Sequence, residues 1–152
     1  MSTPLEISLH ETHMRRCLTL ARMARDRGDT AVGSIVVRDD VVIGEGFEAT
    51  RNLLDPTAHA EIQALRAACK YQSSLNLAGC ALYTTVEPCV LCGYAIRKSG
   101  IAQVVYGMPT PQAGAITSSY KILSDETLVG WPPPSEIVAG VLAEQCAALL
   151  RR

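Results

Sequence analysis

The sequence predicts an α/β domain, and three observations predict it. Apolar residues recur at three- and four-residue steps in four segments, the period of a half-buried helix. Two β-branched runs, Val32 to Arg38 and Val41 to Phe47, flank Asp39-Asp40 and read as a hairpin. From Gly79 to Tyr106 a strand, a helix and a strand follow one another, which asks for a right-handed crossover and a parallel pair. A length of 152 residues suits one domain spanning residues 1–152.

The first helix is expected from His10 to Arg27, with Met14, Cys17, Leu18, Ala21 and Ala24 on its apolar stripe and an end near Gly28. Its arginines share the region with Glu11, Asp26 and Asp29, so they read as a solvated face. His10 and His13 have no metal-ligand partners nearby and read as surface residues. After the hairpin, EATRNLLDPT leads into a second helix carrying Ile62, Leu65, Ala68 and Cys69 on one face, with Thr57 as candidate N-cap. His59 and Glu61 then fall in its opening turn. A buried strand, Gly79 to Thr85, precedes the third helix, about Cys89 to Lys98, and Ile101 to Tyr106 forms the next strand. Residues 107–134 make a long connection rich in Pro, Ser, Thr and Gly, its one ordered part a turn or helix around Ile122 to Leu128. A short strand at Glu136 to Ala139 and a helix beyond Gly140 complete the chain.

Composition narrows the function. Apolar residues make up 48% and charged residues 19%, which supports one core and argues against disorder. The formal charge of -1 lacks the footprint of a dedicated nucleic-acid binder. No apolar stretch approaches the about 20 residues that cross a bilayer, and the start has no apolar signal core, so a cytoplasmic protein is expected. The six cysteines show no disulfide framework; Cys17, Cys69, Cys80 and Cys146 read as small buried hydrophobes.

The remaining two, Cys89 and Cys92, follow Pro88 at a helix start, and His59-Ala60-Glu61 opens another helix. One imidazole and two thiolates give zinc three protein ligands and leave one open position, the arrangement of a catalytic site. Zinc brings the pKa of water at that position toward about 7. A helix N-terminus beside Cys89 and Cys92 favours their thiolate form. Glu61, two residues past His59, is the candidate proton shuttle between that water, a ring nitrogen and a departing amine. A Cys-x-x-Cys pair alone also suits redox exchange. Joined to His-x-Glu in this order, it is the signature of zinc deaminases.

The stretches DPTAHAEIQALRAA and TTVEPCVLCGYAI resemble the cytidine deaminase-like superfamily, in the branch of tRNA adenosine deaminases, guanine deaminases and fungal-type cytosine deaminases. The ending EIVAGVLAEQCAALL resembles that branch as well. The resemblance implies a three-layer α/β/α sandwich on a five-stranded mixed sheet, zinc on His59, Cys89 and Cys92, Glu61 as proton shuttle, and a homodimer.

The fold and metal do not choose the substrate. Where relatives carry a base-binding Asn, this chain has Glu48, which only accepts hydrogen bonds when ionised. Glu48 either enters the pocket or, after a one-residue shift in register, faces solvent. Phe47 and Ala60 are further candidate substrate contacts, and Trp131 or Tyr120 could add an apolar wall. The chain lacks the aromatic and basic tail of tRNA-editing relatives and has Met108-Pro109-Thr110-Pro111 where they carry an Asp and a Lys. The leading expectation is therefore hydrolytic deamination of a small amino-substituted heterocycle, a free base or nucleoside, with no nucleic-acid or membrane partner. Adenosine-to-inosine editing of tRNA and a non-catalytic zinc-stabilised binding protein are the alternatives.

Overall fold

In the computed structural model, which describes residues 2–151, the elements run α1 (Pro4–Asp26), β1 (Gly33–Arg38), β2 (Val41–Phe47), α2 (Thr50–Leu53), α3 (Ala60–Gln72), β3 (Ala81–Val86), α4 (Val90–Ser99), β4 (Gln103–Met108), β5 (Glu136–Val138) and α5 (Ala143–Leu150). The five strands form one mixed sheet in the order β2-β1-β3-β4-β5. β1 is antiparallel to both neighbours, and β3, β4 and β5 are parallel, as a strand–helix–strand crossover requires. No helix is long and apolar enough to cross a membrane among the described residues.

Alternation along the central strands makes the layers. Val36, Leu82 and Val104 point to one face and pack with Ala64, Leu65 and Ile96 of α3 and α4. Their neighbours Ile35, Tyr83 and Val105 point to the other and pack with Met14, Cys17, Cys146 and Leu149 of α1 and α5. Helices cover both faces, giving the three-layer sandwich.

α1 begins at Pro4, six residues before its expected start. Thr3 accepts from the Glu6 N–H and the Glu6 carboxylate accepts from the Thr3 N–H, a reciprocal cap ahead of a proline that needs no donor. His10 and His13 are buried against Tyr83, with His10 Nδ1 2.8 Å from its hydroxyl, so they are not surface residues. The hairpin forms as expected: Asp39 and Asp40 both adopt the left-handed conformation that a two-residue turn demands.

α3 lies directly on β2. A Cβ at Gly44 would stand 2.5 Å from the Ala64 carbonyl oxygen, and one at Gly46 2.4 Å from that of Ala60, so only glycine admits this approach. Thr57 is not its cap; that side chain donates to Asp55 Oδ1 at 2.7 Å, and His59 occupies the N-cap position. Cys17, Cys80 and Cys146 are buried and Cys69 half-buried, all as free thiols.

Residues 109–135 contain no helix at 122–128, only turns, and two buried charges fix their path. The Glu87 carboxylate accepts from the N–H groups of Thr110, Ile116 and Thr117 at 2.9, 2.8 and 2.7 Å and from the Thr117 hydroxyl. Arg97, 1% exposed on α4, donates to the carbonyls of Trp131, Ile122, Asp125 and Leu128. The segment is thereby laid along α4, with Ala115 and Ile122 filling the space beside Gly93.

Candidate active site

Two helices begin at the same end of the sheet. His59 is the N-cap of α3 and Cys89 that of α4, both with extended backbone and neither using its side chain as a cap. Their side chains are free to meet. His59 Nδ1 lies 3.5 Å from Cys89 Sγ and 3.5 Å from Cys92 Sγ, and the three ligand atoms lie within 4.8 Å of one another. Tetrahedral zinc, with sulfur at about 2.3 Å and nitrogen at about 2.0 Å, sets such N···S pairs about 3.5 Å apart. The donor set fits zinc in chemistry and in spacing.

The donors also tune one another. A hydrogen bond from Cys92 lowers the Cys89 thiol to about 4 against the pull of burial, and His59 adds to the effect. Its bond to Cys89 raises the His59 imidazole to about 9. Cys92 is pushed far up, first by sharing its bond with Cys89 and then by burial. Cys89 is therefore the readier of the two to lose its proton, while zinc, when bound, would hold both as thiolates.

Glu61, 4% exposed, stands beneath this cluster. Its Oε1 accepts from Thr84 Oγ1 at 2.6 Å and lies 3.3 Å from Ser34 Oγ, and the two hydroxyls are themselves paired at 2.8 Å. Burial raises its pKa, opposed by the bonds from Cys92 and Thr84. Ser34 and Thr84, which hold the Glu61 carboxylate, are positions that the sequence reading missed. Their signal is weak: Ser34 is the one hydroxyl in β1, but Thr84 stands in β3 beside Thr85 and Tyr83, and only the register that pairs it with Ser34 singles it out.

Glu48 is half-buried and turns toward the start of α3. It accepts from Thr50 Oγ1 at 3.0 Å, and burial raises its pKa against the influence of Thr50, His59 and the Ala60 N–H. Behind it, Asp29 accepts from the N–H groups of Arg51 and Asn52 at 2.8 and 3.2 Å and so fixes α2. Ala60, the first residue of α3, is completely buried. Phe47 packs on the α1 side of the sheet, with the Arg27 guanidinium 4.9 Å over its ring. Trp131 donates to the Tyr94 hydroxyl at 3.1 Å, and Tyr120 is exposed.

An imidazole and two thiols at converging helix starts, above a buried carboxylate on an α/β sandwich, define the class: a zinc-binding hydrolytic deaminase. The chain belongs to the cytidine and deoxycytidylate deaminase family, whose zinc-binding region matches residues 7–108. The tRNA-specific adenosine deaminase of Agrobacterium fabrum is 36% identical over 142 residues, covering 93% of this chain and 91% of that protein. The tRNA-specific adenosine deaminase of Haemophilus influenzae is 39% identical over 141 residues, covering 92% and 80%. A structure from work on A-to-I editing by tRNA:A34 deaminases at the wobble position superimposes with a TM-score of 0.85 at 34% identity, covering 91% of this chain and 99% of that one. The guanine deaminase of Bacillus subtilis matches with a TM-score of 0.64 at 39% identity over 66% of this chain and 64% of its own.

These relatives correct the expectation that nucleic acid is not a partner, because enzymes specific for tRNA match nine-tenths of the chain. Net charge is the wrong observable here, since it averages over faces that differ in sign.

Proposed function

We propose that the protein deaminates adenosine to inosine within tRNA, taking up water and releasing ammonia. The observation that carries this reading is the likeness to tRNA-specific adenosine deaminases over nearly the full length of both chains. His59, Cys89 and Cys92 would hold the zinc, which when bound supplies the Lewis acidity that makes water a nucleophile near neutral pH. Glu61 is the proton carrier: its carboxylate passes one proton from the attacking water to the purine ring nitrogen, then a second, from the hydroxyl formed at the attacked carbon, to the departing amine, which leaves as ammonia. Ser34 and Thr84 keep Oε1 in place, so the carboxylate need not reorganise as it loads and unloads. Glu48 is the substrate contact, flanked in the chain by Phe47, which faces the α1 side, and approached by the N–H of the buried Ala60.

A cytoplasmic homodimer completes the proposal. The face between α3 and α4 carries a groove of about 420 Å³ lined by Ile62, Leu65, Leu75 and Ala95, with Leu75 81% exposed and Arg66, Lys70 and Lys98 also in its lining. An apolar groove of this kind suits a second copy.

The test is inosine formation in a tRNA anticodon stem-loop by the zinc-loaded protein. Glu61→Gln should lower kcat by about 10²- to 10⁴-fold while zinc content and melting temperature hold. Ammonia release from free guanine or adenine, with no inosine in RNA, would overturn the tRNA reading.

A further inference from the structure

The open edge of β2 forms the floor of a cavity of about 590 Å³ between α1 and α3. Four cations line it: Arg16 from α1 and Arg27 at its C-cap, Arg66 and Lys70 from α3. The one acid among its lining residues is Glu45, and Arg16 engages it through two bonds, at 2.5 and 2.8 Å. Arg27, Arg66 and Lys70 have no carboxylate within 4.0 Å among the described residues. The groove is therefore a concentrated positive field on a chain of formal charge -1.

Its position gives the field a purpose. Phe47 and Ala49 are in its lining, and these are the two chain neighbours of Glu48, whose carboxylate feels the His59 imidazole. Leu20, Met23 and Leu53 add an apolar wall against which a sugar or base face can rest. The opposite flank of the site offers no such field. Between residues 109 and 135 the one cation is Lys121, against Asp125 and Glu126.

We propose that the groove between α1 and α3 along the β2 edge is the track for the RNA backbone flanking the reacting adenosine. Arg27, Arg66 and Lys70 take its phosphates. The inference rests on the tRNA reading and adds the surface that reading needs. Phosphate contacts of this kind set affinity and salt dependence without reading sequence.

The experiment compares the zinc-loaded wild type, the double variant Arg27→Gln/Arg66→Gln and the control Lys121→Gln. A tRNA anticodon stem-loop is titrated at several salt concentrations, inosine formation is followed, and light scattering reports the oligomeric state. The double variant should bind roughly tenfold more weakly, with the slope of log affinity against log salt shallower by about 2. Most of its catalytic loss should appear in KM, and Lys121→Gln should behave as wild type. An unchanged salt slope and KM in the double variant, with wild type active on tRNA, overturns the groove and leaves the tRNA reading standing. Loss of the oligomer with tRNA affinity unchanged assigns the face to a second copy and also overturns it. Wild type that neither binds nor edits the stem-loop removes both readings together.

Discussion

His59, Cys89 and Cys92 meet because two helices start at one end of the sheet, whereas residues 109–131 keep their path because two buried charges gather main-chain groups from them. The first region is held by regular elements: strand pairing sets Ser34 beside Thr84, and glycines at 44 and 46 seat α3 on β2. The second has almost no regular structure and borrows its order from Glu87 and Arg97. Both stand on α4 or just before it, so the ligand helix is the shared support. The difference teaches that a metal centre can be set by local geometry while the wall beside it depends on long-range satisfaction of buried polar groups.

The comparison breaks most visibly at the donor set. His59→Ala should reduce zinc from about one ion per chain to near zero by metal analysis, since two thiols alone do not make a three-ligand site. Amide exchange in 109–131 should stay slow in the same sample. Faster exchange there would mean that the metal, and not the buried charges, orders the connection.

Arg97→Met should act on the other region. It leaves the carbonyls of Ile122, Asp125, Leu128 and Trp131 without their donor and should cost about 3 kcal/mol in urea unfolding. Proteolysis should open first between 120 and 131, with zinc retained. Arg97→Lys should recover only part, because an ammonium has three donors and no planar fork.

The smallest effect concerns Glu87. Burial pushes its pKa up, but the bonds from Thr117, Thr110 and Ile116 outweigh burial and hold it below the ordinary value. Its folded value is the lower one, so its contribution is complete above the unfolded value of about 4.3 and is lost as pH falls through the folded value. Glu87→Gln should cost roughly 1 kcal/mol at pH 7 and flatten the acid limb of stability. Equal acid limbs in melts of the two proteins would show that this carboxylate does not hold the segment.

Much of the zinc end is legible in the sequence because its signals are local. Pro-Cys-x-x-Cys and His-x-Glu fall at helix starts, and Asp39-Asp40 announces its turn. The α1 start was legible too, in Thr3 and Glu6, but an apolar stripe beginning at His10 masks it. His10 and His13 lie on the stripe of Met14 and Cys17, so position within the period decides their burial more than side-chain type does. The connection could not be read this way. Arg97 finds its acceptors 25 to 34 residues away, and those acceptors are carbonyl oxygens, which every residue carries.

That last property has an evolutionary consequence. A guanidinium that grips only peptide oxygens is indifferent to what the peptide displays, so the grip itself constrains no side chain at 122, 125, 128 or 131; Ile122, Asp125 and Trp131 are held by their own contacts with the core, Thr127 and Tyr94, which leaves 128 the freest of the four. Such an anchor lets a surface segment drift in sequence while its path stays put, and the metal-bearing helix need not move at all.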